Sequence, residues 1–105
     1  MSFYTIGELT ITDPAWVESY VKTVTPMIER HGGRYLARTP KIERLEGTRD
    51  VPQIYVVVEW PTREAAFAFY ESDEYRPFRD SRQAGAANHF VAFPGEDITG
   101  AAKIG

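Results

Sequence analysis

Apolar residues recur along this chain at two different periods, and the switches between them divide it into elements. From Phe3 to Ile11 they alternate loosely, with Phe3 and Thr5 on one side and Tyr4 and Ile6 on the other, as in a β-strand. Gly7 inside that run marks either a bulge or a close backbone approach. The spacing then shifts to three and four: Val17, Tyr20, Val21, Val24, Met27 and Ile28 form one stripe of an amphipathic helix. Thr12-Asp13-Pro14 starts that helix, Asp13 accepting from the first free amides and Pro14 suiting the first helical position. Pro26 removes the bond to the Lys22 carbonyl, so a kink or restart is expected there. Gly32-Gly33 ends the helix, with Gly32 free to take the left-handed C′ conformation.

The second half repeats the plan. Arg34 to Arg38 reads as a strand, and polar Thr39 to Pro52 as a long hairpin connection, with strand extensions expected around Ile42 and Leu45. Ile54 to Trp60 is apolar on both faces for most of its length, so it should be central and covered on both sides. Thr62 caps a second helix with Ala65, Ala66, Phe69 and Tyr70 as its buried stripe. Ser72 looks like the cap of a third, running from about Asp73 to Ala84 and burying Tyr75, Phe78 and Arg82. Asn88 to Phe93 is the fourth strand. The domain is expected over residues 1–94, with 95–105 a tail that is loosely ordered or packed on a partner.

A βαββαβ order predicts an α+β fold, the ferredoxin-like sandwich with a four-stranded antiparallel sheet. Its helices shelter one face of the sheet only. A central strand that needs cover on both faces therefore implies a second sheet, most simply that of a twin subunit, giving a homodimeric α+β barrel.

Composition narrows the function classes. The 105 residues make one domain and contain no cysteine, which removes disulfides, thiolate metal sites and cysteine nucleophiles. That fits a reducing compartment, and the cytoplasm is the expected location. The N-terminus shows no basic region followed by an apolar run, and no stretch approaches the ~20 apolar residues of a membrane span. Net charge is −3, and Arg76, Arg79 and Arg82 are interleaved with Asp73, Glu74 and Asp80, so no basic face for nucleic acid is expected. Aromatic residues make up 13% of the chain, more ring surface than one thin sandwich hides easily.

Several segments together resemble a known family. Asp13-Pro14, His31-Gly32-Gly33-Arg34-Tyr35-Leu36-Ala37-Arg38 and Val57-Val58-Glu59-Trp60-Pro61 are followed in order by Glu64-Ala65-Ala66, Tyr70, Ser72-Asp73-Glu74-Tyr75 and Arg82. From Phe3 to Phe93 the chain resembles the bacterial domain-of-unknown-function 1330 family of the dimeric α+β-barrel superfamily. The resemblance implies a ferredoxin-like protomer whose sheet packs on its twin's to close a barrel. It implies no settled activity and names no cofactor.

Each residue able to carry chemistry also has a plainer role. The only imidazoles are His31 and His89, too few for a histidine-rich metal site. His31 in the last helical turn suits the helix dipole, whereas His89 is a candidate general base if it points into the barrel. Glu59 is the candidate acid, because apolar neighbours would raise its pKa; Asp73-Glu74 belong to a helix start. Arg38 and Arg82 are candidates to clamp an anionic ligand, against internal pairing of Arg82 with Glu59, Glu74 or Asp73. Trp60, Tyr20, Tyr70, Tyr75 and Phe78 either line an aromatic ligand pocket or form plain core.

Three functions follow. The first is a small-molecule enzyme without a metal, monooxygenase- or isomerase-like by superfamily analogy. The second is a non-catalytic binder of a small, partly anionic ligand, and the third, resting on Trp60 and His89 together, is a haem-handling protein.

Overall fold

In the computed structural model, which describes residues 2–99, strand β1 (Phe3–Ile11) leads through a 3₁₀ turn (Pro14–Trp16) into helix α1 (Val17–Arg30). Strands β2 (Arg34–Thr39) and β3 (Ile54–Trp60), helices α2 (Arg63–Tyr70) and α3 (Arg76–Gly85), and strand β4 (Ala86–Pro94) follow. The sheet order is β2-β3-β1-β4 with every pair antiparallel, the ferredoxin-like arrangement that the element order predicts.

Local chemistry sets the boundaries. Asp13 Oδ1 accepts from the Ala15 amide at 3.0 Å, and Thr62 Oγ1 from the Ala65 amide at 3.0 Å, capping the two helical starts. At the far end of α1, Gly32 has φ +91, the Gly32 amide donates to Glu29 O at 3.0 Å and the Gly33 amide to Ile28 O at 2.9 Å. This paired closure satisfies two end carbonyls and needs a residue at ease in left-handed backbone. Helix α1 runs through Pro26 without the expected restart.

Two segments differ from expectation. Helix α3 begins at Arg76 rather than Asp73, because Pro77 has no amide to bond the Asp73 carbonyl. Ser72 instead closes a turn, donating to Phe69 O at 2.7 Å and accepting from the Tyr75 amide at 3.2 Å. No strand extension forms around Ile42 and Leu45; Leu45 is 94% exposed in the connection between β2 and β3. A register shift between Tyr35 and Ala37 also bends the edge strand β2.

Strand alternation and the pairing register assign the two faces. Phe3, Val58 and Trp60 point toward the helices and meet Val24, Met27, Ile28 and Phe69 in the core, and Leu9 is buried on the same face. Burying each such large side chain contributes about 1.5–3 kcal/mol. The opposite face carries no helix. It presents Ile6, Glu8, Val57 and Glu59 at the centre, with His89, Val91 and Phe93 on β4. Residues 95–99 follow β4, anchored by the Gly95 amide to Ser2 O at 2.8 Å; the remainder of the expected tail, 100–105, lies outside the described residues. No helix among the described residues is long and apolar enough to cross a membrane.

Candidate functional site

A cleft of about 440 Å3 lies between the helix layer and the sheet. Its floor is Thr5, Gly7, Val56 and Val58, and its roof comes from Trp16, Tyr20 and Val21 at the start of α1. Phe69, Tyr70 and Tyr75 close one side, and Tyr35 and Arg38 of β2 form the rim. The floor is low at Gly7, where an added Cβ would overlap the Phe90 ring. Pairing on both sides of β1 runs without a shift there, so Gly7 serves a close approach and not a bulge.

The walls are almost wholly apolar, and one end carries a hydrogen-bonded chain of polar groups. Tyr20 Oη and Tyr75 Oη lie 2.6 Å apart. Arg82 stands behind them, 1% exposed, its Nη2 donating to Tyr75 Oη at 3.3 Å and its Nη1 to Asn88 Oδ1 at 2.7 Å. The Phe90 ring lies 4.2 Å from the guanidinium carbon. The Gly85 carbonyl accepts from the amides of Thr12 and Asp13 at 2.9 and 3.0 Å and from Trp16 Nε1 at 3.1 Å. These bonds tie the α3–β4 junction to the start of α1 and so bring Tyr20 against Tyr75.

Proton bookkeeping orients this chain. A guanidinium only donates, so Tyr75 Oη accepts from Arg82. Tyr75 is 2% exposed and has no other acceptor, so its own proton goes to Tyr20 Oη. That leaves the Tyr20 proton at the cleft. Burial, and after it the neighbouring Tyr75, push the Tyr20 hydroxyl well above the ordinary value of 10.0. Burial also raises Tyr35, against the lowering pull of Arg38.

Five of the residues singled out in the sequence, Tyr20, Arg38, Trp60, Tyr70 and Tyr75, line this cleft. Arg82 sits one side chain behind, and the expected pairing with an acid does not occur. Glu59 pairs with Arg34 at 2.7 Å, Asp73 with Arg76 at 2.8 Å, and Glu74 with Arg30 at 3.5 Å. Arg38 also lacks a carboxylate partner among the described residues; it donates to Thr25 Oγ1 at 2.8 Å and lies over the Tyr35 ring. Phe78 packs against the core and does not reach the cleft.

The two expected acid–base residues are elsewhere. His89 faces Glu8 across the β1–β4 pair, on the helix-free side of the sheet. Trp60 is on the other side, so the pair on which the haem reading rested is split by the sheet. Glu59 shares the helix-free side, and its pKa is lowered and not raised: Arg34 first, then Ser2, hold it ionised by hydrogen bonds. His31 Nδ1 lies 2.9 Å from the Met27 carbonyl at the helix end. Sequence reasoning missed Trp16, Tyr35 and Asn88. The first two follow the apolar period of their elements, whereas Asn88 acquires its role only when β4 is laid beside α3. No group of three histidine, aspartate or glutamate side chains able to hold a metal occurs among the described residues.

The sequence matches the family described as Domain of unknown function (DUF1330) over residues 2–95, and the chain belongs to that family. No curated protein matches it. Among solved structures it is similar to a protein of unknown function from Rhodopseudomonas palustris, 15% identical, covering 91% of this chain and 83% of that one, with TM-score 0.77. It is also similar to SnoaB, a cofactor-independent oxygenase from Streptomyces nogalater, 18% identical over 91% of this chain and 94% of that one, TM-score 0.62. A putative antibiotic biosynthesis monooxygenase from Nitrosomonas europaea aligns at 20% identity over 94% of each chain, TM-score 0.52. At these identities the likeness establishes the ferredoxin-like fold.

Proposed function

We propose that the protein is a small-molecule enzyme that works without a metal, with its substrate held in the cleft between helices and sheet. The observation that carries this reading is an apolar cleft of about 440 Å3 whose polar end is a tyrosine pair backed by a buried guanidinium. A space of that size, apolar with a few converging polar groups, suits a drug-sized ligand. Trp60, Phe69 and Tyr70 offer it flat faces.

Charge selects the kind of ligand. The whole chain carries −3, yet the cleft walls contain no carboxylate; their charge is Arg38 at the rim, with Arg82 behind Tyr75. Such a field favours a molecule bearing negative charge. Similarity in fold to a cofactor-independent oxygenase supports a reaction that needs no metal or cofactor. Tyr20 holds the substrate's oxygen, backed by Tyr75 and Arg82, Trp60 and Tyr70 hold its ring, and Arg38 at the rim meets its charge. His89 and Glu59 have no part in the cleft chemistry.

A second reading, a non-catalytic binder of the same ligand class, is favoured by one feature. Among the described residues the cleft walls hold no aspartate, glutamate or histidine, the usual general bases. Incubation of the full chain with hydroxylated and carboxylated aromatics in air separates the two. An enzyme raises its melting temperature with a ligand and changes that ligand's mass, and Tyr20→Phe loses the conversion. A binder is stabilised and returns the ligand intact. If no such compound raises the melting temperature, the cleft reading fails.

The helix-free face is proposed to meet a second copy of this chain. Its acids are already neutralised, Glu8 by Arg49 at 3.3 Å and Glu59 by Arg34 at 2.7 Å, which lowers the cost of covering Val57, Val91 and Phe93. The family resemblance supports the same arrangement.

A further inference from the structure

Arg82 is the one charged side chain buried among the described residues, and no carboxylate meets it. Its Nε has no hydrogen-bond partner at all. Removing a guanidinium from water without a counter-charge is costly, and a bound anion would offset that cost. The group does not open onto the cleft itself. Its influence reaches there through its bond to Tyr75 and through its nearness to Tyr20, whose own proton is left to the cleft once Tyr75 donates to it.

The number of donors narrows the anion. The Arg82–Tyr75–Tyr20 chain delivers one donor to the cleft, the Tyr20 hydroxyl, which satisfies one oxygen. A carboxylate keeps its charge on two oxygens, of which this chain would satisfy only one. A phenolate or enolate has a single oxygen and spreads its charge into a flat carbon frame, which the aromatic walls accept. We propose that the ligand of this cleft is a phenol or enol bound as its oxyanion, with Tyr20 donating to that oxygen and Arg82 supplying the balancing charge through Tyr75. This rests on the cleft reading above and adds the chemical class of its ligand. It also removes the need for a general base in the cleft, because the ligand enters as its anion or gives its proton to bulk water on binding, the anion being held by the field of Arg82.

The probe is para-nitrophenol, whose phenolate is coloured and whose phenol is not, with nitrobenzene as a shape-matched neutral and para-nitrobenzoate as a carboxylate. With the full chain, near the probe's own pKa, the colour should deepen on binding as the bound phenol loses its proton, a pKa fall of about one unit or more. Tyr20→Phe keeps the ring and drops the donor. It should weaken nitrophenolate binding about tenfold and abolish the colour change, with nitrobenzene binding changed less than about twofold. Tyr75→Phe, which removes the bonded link to Arg82, should weaken nitrophenolate binding in the same direction. Loss of colour on binding, an undiminished colour change in Tyr20→Phe, or tighter binding of para-nitrobenzoate would overturn the oxyanion assignment while leaving the cleft as a binding site. Failure of all three probes to bind would overturn both.

Discussion

Tyr20 and Tyr75 share a 2.6 Å hydrogen bond that neither could make in the unfolded chain, and the burial that comes with it couples the Tyr20 proton to folding. Because burial favours the neutral Tyr20 hydroxyl, the folded chain keeps that proton at pH values where the unfolded chain has released it. The associated stability is complete below the ordinary tyrosine value of 10.0 and declines as pH climbs past it. Denaturant unfolding at stepped alkaline pH should therefore show a steeper decline for the wild type than for Tyr20→Phe; parallel curves would contradict the burial argument. At Arg82, Arg82→Met removes a buried charge together with its bonds to Asn88 and Tyr75. With no ion pair to break, the loss should stay within about 2 kcal/mol by denaturant titration, short of the about 3–5 kcal/mol expected when one partner of a buried pair is deleted. Phenolate binding should vanish with it.

Among the elements, the end of α1 is the most locally determined. Gly32→Ala places a Cβ at φ +91 and should cost about 1–2 kcal/mol, read as a lowered denaturant midpoint with unchanged slope. The strands and helices were legible in the sequence because caps, Gly32-Gly33 and the apolar periods all act within a few residues of their cause. The late start of α3 was legible too, since Pro77 forbids the Asp73 bond, but Ser72-Asp73-Glu74 is a stronger-looking cap signal and masks it. The aromatic side of the cleft could be read from helical spacing. What could not be read was sidedness: His89 and Glu59 alternate correctly with their neighbours, yet which parity faces the helices depends on the register of β1 with β3 and β4. Arg82 had no local signal for lacking an acid, because Glu59, Asp73 and Glu74 each find another arginine only in the folded chain.

At the scale of the whole molecule, the sheet divides two kinds of surface. One face holds the core and the cleft. The other exposes Val91 (58%), Phe93 (40%) and, from the bent edge strand, Leu36 (46%), apolar side chains that a second copy could cover. If a second copy covers it, light scattering should return twice the 11.9 kDa chain mass, and Val91→Glu should return the single mass with little change in folding. The cleft faces the other way, which permits a direct test of where the ligand sits. Both tryptophans of the chain, Trp16 and Trp60, line the cleft, whereas His89 lies on the helix-free face. In a nuclear magnetic resonance titration of the full chain with para-nitrophenol, the two indole N–H signals should move in step with binding while the His89 ring signals stay fixed. Movement of His89 with unmoved indoles would contradict the account.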